Sequence, residues 1–347
     1  MSSPGSAPAP APTPRVGVCG LGLIGGSALL GLARAGLEVR GCDVWPEPRQ
    51  WCADQGIPVD GSPEATARAV DVLLVCVPPH ATAPVVSAAL AAAPDLIVLD
   101  AASVKGPVVD EVRWRAGTDA ERFLPAHPLA GAEQGGFAAA RADLLHGAPW
   151  AICPPAADPD GDASPLDALL TAAPVLDALG ARLIACTAEQ HDRAVAATSH
   201  APHLVAGAVA AVAADLPTGG SLAAALSGGA LRDITRVAGA PVGLWVEVLH
   251  ANATATADAL EATARRLQQA AAALRSGDHD RLEDAWIAGG AARDRIVQGR
   301  WSGPDWAPLA VPATWAALLA LGAQGVGLRD LRPGPDGTVV GARTVGA

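Results

Sequence analysis

One stretch constrains this chain more than any other: Arg15-Val16-Gly17-Val18-Cys19-Gly20-Leu21-Gly22-Leu23-Ile24-Gly25-Gly26. A short apolar run ends in Gly-x-Gly-x-x-Gly and passes into an Ala/Leu-rich pattern of helical period. Strand, tight turn and helix start are the setting in which this spacing binds a dinucleotide. Gly20 permits the turn, Gly22 lets backbone approach a pyrophosphate, and Gly25 lets helix and strand pack closely. The helix opening at Leu23 and Ile24 then offers unpaired N–H groups and a partial positive charge to phosphate oxygens. Outside that setting the same glycines would read as a turn in an ordinary α/β protein. A second apolar run, Leu37 to Cys42, ends in Asp43, at the separation expected of the acid that binds the adenosine ribose. A carboxylate accepts from both ribose hydroxyls and repels a 2′-phosphate. Val44, Trp45 and Pro46 supply no cation beside it. NAD is therefore favoured over NADP, with Arg40 and Arg49 as the residues that keep NADP open.

The alternation of strand and helix patterns continues. Apolar runs at Val70 to Val77, Asp95 to Asp100, Arg122 to Ala126, Trp150 to Cys153 and Arg182 to Cys186 predict an α/β domain over residues 15–187. Its sheet should be parallel and doubly wound, of the Rossmann type. Val77 and Pro78, at a strand end on the ligand side, join the expected nucleotide contacts. Over residues 188–298 strand signals vanish. Four helices are expected there, Ala188 to Ala214, Ser221 to Ala238, Pro241 to Leu274 and Asp278 to Val297. They are too apolar on several faces to be solvated, so this all-α domain either buries a shared core or dimerises. Residues 299–347 read as a linker and then a weak strand–helix–strand–turn–strand pattern from Leu309 to Val345, with Asp336-Gly337 as the hairpin turn. That pattern suggests a short C-terminal α+β-like remnant. Residues 1–14 are Ser/Pro/Ala-rich with neither a charged n-region nor an apolar h-region, and are expected to be a disordered tail.

The balance of charge removes whole classes of partner. A net charge of −11 over 347 residues argues against nucleic acid and anionic membranes. An anionic substrate then needs a local cationic pocket. No apolar run reaches membrane-spanning length without Pro, Gly or charge. The six cysteines form no C-x-x-C pair, which points to reduced thiols, a cytoplasmic location and no metal site.

Chemistry is expected beyond the carboxyl ends of the strands. Two loops qualify. One carries Ser103 and Lys105; the other carries His127-Pro128-Leu129-Ala130-Gly131-Ala132-Glu133. Near a nicotinamide, His127 could take a hydroxyl proton as a hydride leaves, with Ser103 bonded to its ring to fix the tautomer. Spacing alone equally allows His127 to close a loop. In the helical region Ser199-His200-Ala201-Pro202-His203 puts His200 and His203 on one face, with Pro202 marking a kink or helix start. Two histidines could bind zinc, but no third ligand stands out. Arg232 and Arg236 are one turn apart beside Gly228-Gly229, which suits a dicarboxylate or, equally by spacing, a solvated pair bridged to acids such as Asp233.

Together the glycine fingerprint, Ser103-Val104-Lys105-Gly106, the His127 to Glu133 segment, Gly136-Phe137, Ala140 to Leu144 and Gly147 to Trp150 resemble the prephenate/arogenate dehydrogenase family of tyrosine biosynthesis. So do His191 to Val195, Ser199 to His203, Arg232 to Arg236 and Leu244-Trp245. The resemblance runs in order from about residue 15 to 297. It implies oxidative decarboxylation of prephenate to 4-hydroxyphenylpyruvate, with hydride passing to NAD. It gives His127 the ring hydroxyl and its proton, with Ser103 orienting both. Arg236 would bind a substrate carboxylate, His203, Arg232 and Trp245 would line the side-chain end with His200 in the same motif, and Glu133 would gate the entrance. It also implies a homodimer built through the helical domain. The tail resembles only faintly, in truncated form, the regulatory amino-acid-binding domain of some relatives. The motifs do not separate prephenate from arogenate or 4-amino-4-deoxyprephenate. A nucleotide-sensing regulator is the non-enzymatic alternative, against which His127, Ser103 and Arg236 together argue.

Overall fold

The structure is a computed structural model, and it describes residues 13–132, 134–155, 158, 166–216, 220–301 and 305–345. Most of the expected N-terminal tail, and Glu133, lie outside the described residues. Strand β1 (Val16–Cys19) leads through the glycine turn into α1 (Leu23–Arg34) and β2 (Val39–Cys42). Helices α2 (Pro46–Asp54) and α3 (Pro63–Ala67) precede β3 (Val72–Val75), and α4 (Pro79–Ala92) precedes β4 (Ile97–Asp100). Helix α5 (Gly106–Ala116) and β5 (Phe123–Leu124) complete a parallel five-stranded sheet in the order β2-β1-β3-β4-β5. β1, β3 and β4 are buried at every position, as expected where helices cover both faces. From β1 the chain turns outward to β2 and then returns to the other flank of β1. That reversal opens a crevice at the carboxyl ends of β1 and β3, the ends that carry Gly20 and Val77-Pro78.

The sequence predicts one continuous sheet, but the structure divides it at Pro125. Strand β6 (Ala126–Pro128) leaves the first sheet and pairs antiparallel with β7 (Pro149–Ile152). After α6 (Asp167–Ala178), β8 (Arg182–Ala185) lies parallel to β7. Proline has no N–H to extend the first ladder, and the Pro125 carbonyl accepts from the Cys153 amide of the second sheet at 2.9 Å. At the junction two side chains take over the backbone's role. Asp100 accepts the Ala126 N–H at 2.9 Å, and Lys105 Nζ donates to the Ala126 carbonyl at 2.7 Å. Lys105 and Asp100 are wholly buried and ion-paired to each other. The strand bearing His127 is thus clamped at its first residue.

The helical region comprises α7 (Ala188–Val195), a π turn (Ala196–His200), α8 (Ala201–Ala214), α9 (Gly220–Leu226), α10 (Gly229–Thr235), α11 (Val242–Ala251), α12 (Ala253–Ser276) and α13 (His279–Trp301). Two of the four expected helices are broken. One parts at Gly228, between α9 and α10. The other parts at Asn252, whose side-chain amide bonds elsewhere. The kink expected at Pro202 is absorbed without a break. Pro202 cannot donate a helical hydrogen bond, and the turn before it widens so that the Ala201 amide reaches the Ala196 carbonyl, five residues back. The resulting 27-residue run is long and apolar enough to cross a membrane by length and composition, yet its first half carries His191, Asp192 and His200 into buried polar contacts. Further on, large apolar side chains face outward, Leu226 at 77% and Trp286 at 83% exposure among them.

The tail forms β9 (Asp305–Pro312), α14 (Trp315–Gly322), β10 (Leu328–Pro333) and β11 (Thr338–Val345). The hairpin turn falls where the sequence places it, with Asp336 and Gly337 both at positive φ. The tail has the expected α+β make-up, and its strands are joined to those of the first half of the chain. It completes a six-stranded sheet in the order β6-β7-β8-β10-β11-β9, joined where Leu328 pairs with Leu183. Trp315, Leu318, Leu328 and Val339 are fully buried in the same core as Val16, Val18 and Leu29. Gly322 packs so tightly that a Cβ there would lie 1.7 Å from the Ala185 carbonyl oxygen. An apolar segment that covers an open sheet edge has the same periodicity as one that folds alone, so the pattern does not tell them apart.

Candidate active site

The glycine turn is shaped for a ligand. Gly20 has φ +87°, and a Cβ on it would lie 2.5 Å from the Cys76 carbonyl oxygen. A Cβ on Gly25 would approach the Gly20 carbonyl oxygen to 1.8 Å. At Gly22, by contrast, a Cβ would meet nothing within 4 Å. The chain therefore needs two of its glycines for its own packing and leaves the third facing open space. Gly22 also caps α1 without a side-chain acceptor, so the first-turn amides of Leu23, Ile24 and Gly25 are available to an anion. At the end of β2, Asp43 accepts the N–H groups of Leu21 and, at 2.7 Å, Trp45. These bonds fix the carboxylate beside the turn, with lone pairs left for ribose hydroxyls. The cradle fits a dinucleotide.

His127, on β6, is buried, and its Nδ1 lies 2.8 Å from His191 Nε2. His191 Nδ1 is 2.7 Å from Asp192 Oδ1. Asp192 in turn accepts the backbone N–H groups of Lys105 and Gly106, each at 2.8 Å, at the N-terminus of α5. A chain of three side chains thus runs from the first domain's sheet junction into α7 and back to the loop after β4. Burial, followed by the nearby His191, Lys105 and His200, holds His127 well below the usual imidazole range. Burial likewise lowers His191, against the opposing pull of Asp192. For Asp192 burial acts upward, but the His191 bond and the two amides outweigh it, and the carboxyl lies below its ordinary range. At neutral pH the pair of imidazoles is uncharged and the carboxylate ionised.

The sequence allows Ser103 to bond the ring of His127, but Nδ1 is engaged elsewhere. Among the described residues no hydrogen bond joins them, and His191 occupies the role. The HD dipeptide on α7 was visible, but nothing in its spacing announces a partner 64 positions earlier. His200 is buried and pushed down to about 4 by that burial. The Asn252 amide lies 3.1 Å from its Nδ1 and donates to the Asp192 carbonyl at 2.8 Å. His203 Nδ1 donates to the Ser199 carbonyl at 2.8 Å. Its ring stacks on Trp245 at 3.5 Å between centroids, and His200 meets the same indole edge-on at 6.2 Å. His200, His203 and Trp245 therefore do form one cluster. Arg232 lies on α10 and Arg236 at its end, both exposed; the turn holding Arg236 packs on α8, the helix of His203. Among the described residues no group of His, Cys, Asp and Glu is arranged to hold a metal ion.

Comparison with known proteins gives this arrangement a context. The family model described as the prephenate dehydrogenase nucleotide-binding domain matches residues 31–185, and that of the prephenate dehydrogenase dimerization domain matches residues 187–286. A cyclohexadienyl dehydrogenase of Zymomonas mobilis is 30% identical over 278 residues, covering 77% of this chain and 90% of that protein. NovF of Streptomyces niveus, named a probable prephenate dehydrogenase, is 31% identical over 302 residues, covering 84% of this chain and 80% of that one. The prephenate dehydrogenase of A. aeolicus, solved in complex with hydroxyphenyl propionate and NAD+, has the same fold, with a TM-score of 0.72 at 23% identity over 83% of this chain and 100% of that one. Two domain matches in sequence order, and relatives at this identity over most of both chains, establish that the chain is a dehydrogenase belonging to the prephenate dehydrogenase family.

Proposed function

We propose that the protein is an NAD-dependent prephenate dehydrogenase, acting in the cytoplasm as a homodimer. The observation that carries the reading is a buried His127 whose Nδ1 is engaged by His191 of the helical region and whose Nε2 has no hydrogen-bond partner among the described residues. Bound NAD would supply the hydride acceptor. Prephenate would give up the hydride from the ring carbon bearing its hydroxyl, that hydroxyl's proton to His127, and its ring carboxylate as carbon dioxide. The electron pair of the broken carbon–carbon bond would complete the aromatic ring and pass to the ring oxygen, which takes the proton back from His127 to give 4-hydroxyphenylpyruvate. Aromatisation makes the step strongly downhill, so the protein's task is positioning and proton removal. Arg236 would hold a substrate carboxylate, with Arg232, His203 and Trp245 at the side-chain end. The outward-facing apolar side chains of the helical region would be covered by a second copy, and a sedimentation mass of one 34.6-kDa chain would overturn the dimer. The test of the reaction is appearance of reduced nicotinamide when prephenate, arogenate or 4-amino-4-deoxyprephenate is offered in turn. The reading requires prephenate to be turned over with the highest kcat/KM.

Two variants probe the binding sites. Asp43→Ser removes both the ribose contacts and the repulsion of a 2′-phosphate, so a marked preference for NAD should relax toward NADP; equal efficiency with both cofactors before mutation would sink the assignment. Arg236→Gln should raise KM for prephenate about 10- to 150-fold, the equivalent of roughly 1.5–3 kcal/mol for a charged hydrogen bond, while kcat falls less. Arg232→Gln should do the same more weakly. An unchanged KM for Arg236→Gln would place the carboxylate site elsewhere.

A further inference from the structure

The three-residue chain behind His127 does more than fill space. Asp192 Oδ1 takes the Lys105 amide as well as His191 Nδ1, and Oδ2 takes the Gly106 amide. An ionised carboxylate only accepts hydrogen bonds. The hydrogen on the His191–Asp192 contact must therefore belong to His191 Nδ1. A neutral imidazole carries one N–H, so His191 Nε2 is a bare acceptor. The contact between His191 Nε2 and His127 Nδ1 at 2.8 Å then needs its hydrogen from His127. His127 is left with Nδ1 protonated and Nε2 bare.

We infer that His191 and Asp192 are positioning residues that lock His127 in the Nδ1–H tautomer, so that its Nε2 faces the substrate hydroxyl as a base. Which nitrogen of a histidine is free is set by the bond the other makes, and here that bond is dictated in turn by a carboxylate nailed to two backbone amides. The inference rests on the proposed dehydrogenase reaction for its purpose, but its geometry does not. The polar groups around His127 are consistent with it. Lys105 is a cation already paired with Asp100 and the Ala126 carbonyl. His200 is tied to Asn252. Neither competes for His127 Nδ1. Two domains contribute to the device, since Asp192 and His191 come from α7 while the amides and His127 come from the nucleotide-binding side. The base is thus correctly protonated only when α7 is docked on the N-terminus of α5.

The test reads the tautomer directly. Nitrogen-15 spectra of the full-length protein labelled at histidine should show His127, identified by its loss in His127→Asn, as protonated on Nδ1 and bare on Nε2. A protonated Nε2 in the unmutated protein overturns the inference, whatever substrate the enzyme takes. Kinetics of two variants supply the second arm. His191→Leu removes the acceptor and should lower kcat about 10- to 100-fold, the scale of a buried donor left unpaired, with KM for substrate and the Kd for NAD little changed. His191→Gln can place an amide oxygen where Nε2 was, and should recover most of that loss together with the Nδ1–H signature. Equal kcat for the unmutated, Leu and Gln proteins would overturn the positioning role. Failure of the unmutated protein to turn over any of the three cyclohexadienes would instead overturn the proposed reaction, and the spectra would still decide the tautomer.

Discussion

Replacing His127 with Asn is expected to lower kcat by about 10²–10⁴-fold, the usual contribution of a positioned general base. Asn preserves much of the shape and can still donate to His191, so the sheet junction should survive. What it lacks is a lone pair basic enough to take a hydroxyl proton. NAD affinity should be nearly unchanged, because the glycine turn and Asp43 belong to other strands. The pH profile gives a sharper sign. As the proposed base His127 must be neutral, and burial holds its pKa well below 6.5. Activity in the unmutated enzyme should therefore persist below pH 6.5 and fall only as the pH drops through that lowered value. The acid limb should be absent from the residual activity of His127→Asn. A variant with near-normal kcat would move the base elsewhere, to His200 or His203.

The largest expected effect on stability lies far from the chemistry, at Trp315. This side chain is fully buried among residues of the nucleotide-binding core. Removing a buried tryptophan typically costs about 3–5 kcal/mol through lost burial and the cavity left behind. The Trp315 indole N–H has no acceptor among the described residues, and deleting it returns part of that cost. Trp315→Ala should therefore lose about 3 kcal/mol, with the main unfolding transition moving as a whole. Denaturant unfolding followed by circular dichroism and by NAD binding should show both signals shifting together. A small separate transition, with the main one unmoved, would mean that the tail folds as its own unit.

Local patterns in the sequence encode much of the fold. The glycine turn, the buried parallel strands and the alternation of strand and helix are written in neighbouring residues, and so is the position of the last hairpin. Pairings between distant segments were not legible. Pro125 looks like any proline at a strand edge until Asp100 and Lys105 are seen to replace the ladder across it. Trp315 and Leu328 have the same apolar period whether they build a separate unit or finish another sheet. The candidate site divides in the same way. His127, His200, His203 and Trp245 stood out by residue type and motif, and the last three do cluster. The partner of His127 did not stand out, because His191 reaches it across the domain boundary rather than along a helix face. Ser103 was the nearer candidate in sequence and is not bonded to it.

The tail's place in the second sheet has a consequence for how the protein is made. β8 and the strands that flank it, β7 and β10, are separated by the whole helical region on one side only, so the core containing Val16 and Trp315 cannot close until residues beyond 328 have left the ribosome. The helical region is in effect an insertion into a domain still unfinished when those helices emerge. Long-range closure of this kind is slow relative to local helix formation. During that interval the apolar helices and the open edge of β8 are exposed at once, so the unfinished chain is at its most prone to association before the nucleotide-binding half is complete.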